Sequence, residues 1–365
     1  MRGLEAFALL LLLGSCEPEP PRPHEPVLAD LAALGYTGWD ESAAEPRASD
    51  GEPDPRPFLY CDDVSRVLLV ANDGEVLCAW TIAGFDQVEF AELLPDGDVV
   101  ALSVDQGVAR VRPDGSVVWR WEGNAHHELA PRRDGGFVVP VWRVARYRGR
   151  RVRFDELVWL SADGVEERRW STLDQREMLT PHHRPLPLDT EPEPRAGEPD
   201  ETTYDRFHVN ALVELHEDQL GLGEPAGALL VSARNANLVF VLDAERNRIL
   251  WSWGPGQLDF QHTPTPTPRG VLIFDNGYHR GRSRLVEVEP ATNRILWEWT
   301  APDFFTKTRG SCQRLASGQT FVCESERGRL FELDARGRVV WSWVNPVEDD
   351  GKRRRIYRAR RVSAR

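Results

Sequence analysis

Nothing in this 365-residue chain is apolar for long enough to cross a bilayer. The run from Ala6 to Leu13 falls well short of the roughly twenty residues a spanning helix needs. None of the nine histidines forms an H-x-H or H-x-x-x-H pair, so a compact zinc motif is missing. Positive charge is not in excess either. With a formal net charge of -13, the basic tail RRRIYRARRV (353–362) reads as an edge strand defended by Arg and Lys, not as a nucleic-acid or anionic-lipid patch. Cysteine is scarce at five residues, so the 41% of apolar residues must supply the core.

What is present in quantity is a repeat, and a missed repeat miscalls a whole fold. An apolar run, a turn and a second run ending in Trp recur as SRVLLVANDGEVLCAW (65–80), VARVRPDGSVVWRW (108–121), ELVWLSADGVEERRW (156–170), LVFVLDAERNRILWSW (238–253), LVEVEPATNRILWEW (285–299) and LFELDARGRVVWSW (330–343). Each has the alternation and turn residues of a β-hairpin. Further strand pairs such as FAELLPDGDVVAL and CQRLASGQTFVCES lie between them, which makes four strands per unit. The terminal tryptophans Trp80, Trp121, Trp170, Trp253, Trp299 and Trp343 are 41 to 49 residues apart, except for one gap of 83 that holds an extra loop. The expected fold is therefore all-β: a six-bladed β-propeller of four-stranded antiparallel blades. RPFLYCDD (56–63) and the tail 353–362 are both strand-like and short of partners, so pairing of the N- and C-terminal strands is expected to close the ring.

Three regions are expected: residues 1–16, 17–57 and a propeller over 58–365 with an insertion loop at 174–205. The first, with Arg2, the apolar run and Leu13-Gly14-Ser15-Cys16, resembles a bacterial lipoprotein signal, which implies lipid attachment at Cys16. The Pro- and acid-rich stretch that follows has the composition of a mobile tether. The expected setting is an exported lipoprotein on the periplasmic side of the cell envelope. Glu17 after the lipid-bearing Cys favours the outer membrane of a Gram-negative cell. Four cysteines would then remain, in a compartment that permits disulfides. Cys312 and Cys323 flank the turn ASGQ symmetrically if Leu315 faces Thr320, which would place them opposite each other as a candidate bridge. Cys61 and Cys78 form a second candidate pair in the closing blade.

Three histidines stand just upstream of strand-like runs. His127 lies eight residues before the turn glycine Gly135 and His262 eight before Gly270, while His208 precedes its strand in the same manner. Equivalent blade positions would bring the three imidazoles to one channel mouth. Arg234, at the end of the strand returning from His208, should emerge beside it. A guanidinium among imidazoles points to an oxyanion such as sulfate or phosphate and away from a metal, so neither metal nor cofactor is expected.

At these residues the chain resembles the bacterial arylsulfotransferases, exported enzymes that need no nucleotide sulfate donor. The matching pieces are HHE at 126–128, where the family has HHD; D-x-F-H-V-N at 205–210; S-A-R-N at 232–235; Q-H-T at 261–263; and F-D-N-G at 274–277. The resemblance runs from about Phe58 to Val362. It implies a central-channel site that moves a sulfuryl group from an aryl sulfate donor to a phenolic acceptor by a ping-pong route through a sulfated histidine. His262 matches the nucleophile, and His208 and Arg234 match groups that hold sulfuryl oxygens. The HHE histidine completes the set, as His127 in preference to His126 because its offset equals that of His262. Asn210, Gln261 and Asn276 are expected in support. Glu128 in place of Asp, the enlarged turn GLGEPAGA and the missing cysteine pair that some members carry bear on substrate scope. The sequence does not specify an oligomeric state.

Other classes make different demands. A non-catalytic propeller lipoprotein acting as an envelope scaffold would let the His and Arg positions scatter. A quinone-dependent dehydrogenase would need a larger ring and a calcium site of carboxylate and amide oxygens, for which the sequence offers no clear set. A sulfatase or phosphatase would use the same pocket with water as the second attacker.

Overall fold

The computed structural model describes residues 52–61, 65–186, 189, 203–349 and 352–362. The lipoprotein-like segment, Cys16 and most of the tether lie outside the described residues. Among the described residues no helix is long and apolar enough to cross a membrane.

The chain is a six-bladed propeller of four-stranded antiparallel blades. Blade 1 orders Ala359–Arg361, Phe58–Cys61, Arg66–Val70 and Val76–Thr81 from the channel outwards. Its innermost strand comes from the C-terminus, with Phe58 facing Arg361 and Tyr60 facing Ala359. The ring is thus closed by both chain ends, as expected. Blades 2 to 6 begin at the channel with Val88–Leu93, Ala130–Pro131, Val209–Glu214, His262–Thr267 and Ser311–Arg314 and end outside with Val117–Trp121, Glu166–Ser171, Arg248–Trp253, Arg294–Trp299 and Val339–Val344.

Strand side chains alternate between faces, so each blade offers one apolar face to each neighbour. Six apolar clusters result, one at every blade interface from 1–2 round to 6–1. The Trp signature is explained at these interfaces. Indole Nε1 of Trp119, Trp170, Trp251, Trp299 and Trp341 donates to Ala162 O, Asn247 Oδ1, Asn293 Oδ1, Gly337 O and Asn72 O, each in the outer hairpin turn of the next blade. A large apolar body with one donor at its tip suits a site that is dry along the ring and polar at its end. The turn residue it meets is held small: a Cβ on Gly164 would lie 2.5 Å from the Trp119 ring.

Two features differ from expectation. The basic tail does not defend an outer edge. Arg361 has no solvent exposure; its Nε donates to Glu332 Oε1 at 2.7 Å and its guanidinium packs over the Phe321 and Trp341 rings. The two expected cysteine bridges also do not form: Cys312 and Cys323 are buried free thiols, and Cys61 and Cys78 are not bonded to each other. In blade 6 Ser311 faces Cys323 and Cys312 faces Val322. Leu315 N–H donates to Gln319 O, which closes a three-residue loop with Gly318 at φ +86 and leaves no room for the four-residue turn assumed from the sequence. A one-residue change of register turns a side chain to the other face. Cys312 therefore packs in the blade 5–6 cluster and Cys323 in the blade 6–1 cluster, where burial pushes both thiols up to about 12.

The middle strands of blade 3, Phe137–Tyr147 and Arg150–Leu160, run well past their neighbours. The described ends of the insertion dock on this extension. Leu179 and Leu186 enter the blade 3–4 cluster, and Thr203–Asp205 pairs parallel to Arg151–Arg153. That pairing fixes Asp205 three residues before His208.

Candidate active site

Several of the inner strands are entered through residues that L-amino acids rarely tolerate. His127 has φ +63, His208 +56 and Arg309 +65, and Thr263, directly after His262, has +43. Left-handed backbone at non-glycine residues costs on the order of 1–3 kcal/mol and collects where function over-determines it. Here four such residues stand at the mouths of blades 3 to 6.

His262 is almost fully buried. Its Nδ1 lies 2.7 Å from Asn276 Oδ1, and the Asn276 amide is oriented by donating from Nδ2 to Thr306 O at 2.9 Å and Arg309 O at 2.8 Å. Asn276 Oδ1 can only accept, so Nδ1 carries the proton and Nε2 the lone pair. The Arg309 N–H approaches that lone pair at 3.2 Å. Burial, then the charges of Arg358 and Arg234, hold the imidazole well below its usual value, so it is neutral near pH 7.

The other histidines form a chain. His208 Nδ1 donates to Asp205 Oδ2, and His208 Nε2 lies 3.0 Å from His127 Nε2. His127 Nδ1 in turn is 2.9 Å from His126 Nδ1. His126 is fully buried, stacked on Trp142 at 4.5 Å, with Nε2 3.5 Å from Asp155 Oδ1. The backbone N–H of His127 donates to Glu89 Oε2 at 2.8 Å. His127 thus faces the channel mouth and His126 stands behind it. Burial lowers both rings, His126 to about 3. Burial raises Asp155 well above the carboxylate range, and the Asp205 charge adds to the effect. Asp205 is also pushed up by burial, but its bond to His208 outweighs that and keeps it low.

Arg234 occupies the turn after its strand, where its backbone N–H donates to His208 O at 3.0 Å and its guanidinium lies 4.1 Å from the Phe260 ring centroid. Sequence reasoning missed a second arginine. Arg358, from the closing strand's approach, is 5% exposed; it donates to Gly310 O and to Asn210 O at 3.0 Å, and its Nε stands 3.5 Å from Glu128 Oε2. It therefore ties blades 1, 3, 4 and 6 together at the axis. Arg358 and Glu128 also line a cavity of about 160 Å³ with Thr263, Thr265, Ser311 and Gln313, on the inner strands and apart from the histidine rings. Burial raises Glu128 to about 7 despite the arginine beside it. Arg309 (4.4 Å) and Arg358 (5.9 Å) flank the buried Tyr357 ring. The sequence signal for Tyr357 and Arg358 was the Tyr-Arg pair of the tail, readable only once the tail is known to line the channel.

The supporting residues divide. Asn276 orients His262 directly. Asn210 donates from Nδ2 to the backbone carbonyl of Gln261 at 2.8 Å, fixing the residue before the histidine. The Gln261 side chain turns into blade 4: its Nε2 donates to Ser232 Oγ, Ala233 O and Leu238 O, so it anchors the blade interface. Among the described residues no cluster of His, Cys, Asp and Glu is arranged to hold a metal ion. The site the fold builds is a buried neutral imidazole under the charges of Arg358 and Arg234 at the propeller axis.

A six-bladed propeller with buried histidines and arginines gathered at its hub defines the class. The profile of the arylsulfotransferase (ASST) family matches residues 91–346, and the chain belongs to that family. The matched span contains all the histidines above but not Tyr357 or Arg358. No curated protein matches the chain. Among solved structures it is similar to a protein of unknown function from Bacteroides caccae, at 15% identity over 79% of this chain and 93% of that one with a TM-score of 0.51. It is also similar to a streptogramin B lyase, at 10% identity over 83% and 87% with a TM-score of 0.46. A functionally unknown protein from Desulfotomaculum acetoxidans matches at 14% over 81% and 82%, with a TM-score of 0.43. At these identities the Bacteroides structure shows a shared fold and no more.

Proposed function

We propose that the protein transfers a sulfuryl group from an aryl sulfate to a phenolic acceptor through a sulfohistidine at His262. The observation that carries the reading is the state of His262: neutral, proton fixed on Nδ1 by Asn276, with Nε2 turned into a pocket that Arg234 and Arg358 make positive. In the first half-reaction a bond forms between Nε2 and sulfur while the bond from sulfur to the aryl oxygen breaks. Two easier displacements replace one hard one. The incoming sulfur displaces the 3.2 Å contact with the Arg309 amide, and that N–H becomes a donor to a sulfuryl oxygen. Arg234 and His208 stabilise charge on the remaining oxygens, where a preformed donor array is most effective. In the second half-reaction the acceptor oxygen attacks sulfur, the bond to Nε2 breaks, and His262 returns to its starting state.

The envelope setting is part of the same proposal: lipid attachment at Cys16 would hold the propeller at the membrane surface by the tether. Cleavage of the leader and acylation are read from the mass of the N-terminal peptide.

The function is tested with the purified protein, para-nitrophenyl sulfate as donor and phenol as acceptor. The reading requires phenyl sulfate to form and His262→Asn to abolish its formation. Turnover that survives the substitution removes His262 as nucleophile, and release of inorganic sulfate regardless of phenol identifies a sulfatase.

A further inference from the structure

The three ionisable groups behind His208 have no part in the displacement itself, yet they are joined to His208 end to end. From the mouth inwards run His208 Nε2 to His127 Nε2 at 3.0 Å, His127 Nδ1 to His126 Nδ1 at 2.9 Å, and His126 Nε2 to Asp155 Oδ1 at 3.5 Å. Two facing imidazole nitrogens at such distances must share one proton, since two lone pairs would repel and two N–H groups would collide. At the far end Asp155 Oδ1 accepts from Val209 N–H at 2.9 Å, while its Oδ2 and His126 Nε2 are buried without a hydrogen-bond partner. Two orphan atoms, one on each side of this 3.5 Å contact between carboxyl and imidazole, are costly in a static core and are explained if a proton moves between the two groups.

We propose that Asp155, His126 and His127 form a proton relay that supplies the departing aryl oxide at the channel mouth and takes the proton back from the acceptor. The proposal rests on the sulfuryl-transfer reading for its direction. Before reaction the protons sit on Asp155, His126 Nδ1, His127 Nε2 and His208 Nδ1. As the bond from sulfur to the aryl oxygen breaks, the His127 Nε2 proton passes to that oxygen. His127 Nδ1 takes the proton of His126 Nδ1, and His126 Nε2 takes that of Asp155. Every ring begins and ends neutral, and the negative charge of the leaving group finishes on Asp155. The lone pair this leaves on His127 Nε2 opposite His208 Nε2 accepts from the hydroxyl of the phenol product and then of the acceptor, which stands in for the proton given up. The acceptor's proton later runs the same path in reverse, so the charge is stored while the sulfohistidine waits.

The groups facing the chain fit this traffic. Arg153 lies over Trp142, 4.4 Å from its ring centroid, on the ring that stacks on His126, and Arg153 disfavours a charge on that imidazole. His127 meets Glu89 at its backbone, the Tyr357 ring at 6.5 Å and the charges of Arg358 and His262. Asp205 holds the outer nitrogen of His208. The buried positive surroundings keep the inner rings neutral, as a shuttle requires, and burial holds the Asp155 carboxyl well above the carboxylate range, so that it keeps its proton.

The test compares two donors that differ in how much they need a proton. A phenol has a pKa of about 10, so phenyl sulfate requires protonation of its leaving oxygen, whereas the more acidic para-nitrophenol requires little. Asp155→Asn keeps the size and the acceptor for Val209 but carries no proton to give. It should lose kcat on phenyl sulfate by about 10²-fold more than on para-nitrophenyl sulfate, in the range of general acid catalysis. Equal losses on both donors would overturn the relay and leave Asp155 a structural residue. Independently of turnover, histidine-selective ¹⁵N labelling should show nitrogen–nitrogen couplings across the His126–His127 and His127–His208 contacts. Absence of those couplings overturns the relay even in an active enzyme. Their presence in a protein that turns over neither donor keeps the shared-proton chain and removes the sulfuryl-transfer reading.

Discussion

His262 has to be unprotonated and buried at once, and each requirement supports the other. Burial alone would disfavour its charge, and the guanidinium of Arg358 adds to that. Removing Arg358 therefore lets the folded value of His262 rise, so more of the ring is protonated at a given pH. Arg358→Gln should move the acid limb of the kcat/KM profile to higher pH, with the smallest loss on the alkaline side. The buried histidines also affect stability. His126 falls to about 3 in the fold from an ordinary 6.5, so below pH 6.5 the unfolded chain binds a proton that the native one does not. Native stability then falls with pH by up to about 1.4 kcal/mol per unit from this group. Glu128, raised to about 7 from 4.5, acts with the opposite sign between those values, favouring the fold as pH falls. Urea unfolding of wild type and His126→Asn from pH 7 to 4 isolates the first effect, since Glu128 is common to both; the variant should show the shallower acid slope. His127, His208, Arg234 and His262 could be nominated from sequence because each sits at a fixed place beside a recognisable strand. Arg358, Tyr357 and Asp155 could not, because their relation to the site exists only after distant strands are paired. The blade 4 partners of Gln261 could not be read either, because adjacency to His262 does not reveal which face of a strand a side chain occupies.

At the level of elements, the hairpin turns hold one blade against the next. Gly164 and Gly115 have similar backbones, φ +75 and +83, but a Cβ at 164 would collide with Trp119 while one at 115 would meet nothing within 4 Å. Gly115→Ala should cost only left-handed strain, about 1 kcal/mol, and Gly164→Ala about 2 kcal/mol or more because the Trp119 ring must also move. The difference between their urea midpoints measures the packing of one blade on the next. Alternating strands, Trp positions and turn residues are local patterns, which is why the blades were legible in the sequence. The register of the Cys312 and Cys323 strands was not. It depended on whether the loop held three residues or four, and Gly318 in left-handed geometry decided that question. The length of the blade 3 extension was also hidden, since RYRGRRVRF reads equally as a polar loop or as exposed strand.

For the whole molecule, closure and site are one event. The C-terminal segment that completes blade 1 also carries Tyr357 and Arg358 to the axis and buries Arg361 against Glu332. A propeller that failed to close would lose its inner strand and the arginine at its hub together. The surplus of negative charge over the chain, -13, contrasts with a hub that holds Arg234, Arg309 and Arg358, so the proposed aryl sulfate would be held by local geometry and not by the net field. The fold could be read from the repeat, but the assembly of residues from blades 3, 4 and 5 with a tail arginine is a property of the closed ring. The account is tested most directly by mixing the protein with para-nitrophenyl sulfate in the absence of acceptor, quenching into alkali and mapping the peptides by mass spectrometry. A sulfuryl adduct confined to the peptide that carries His262, discharged when phenol is added, is the predicted result. A full burst of para-nitrophenol with no adduct on that peptide would contradict it.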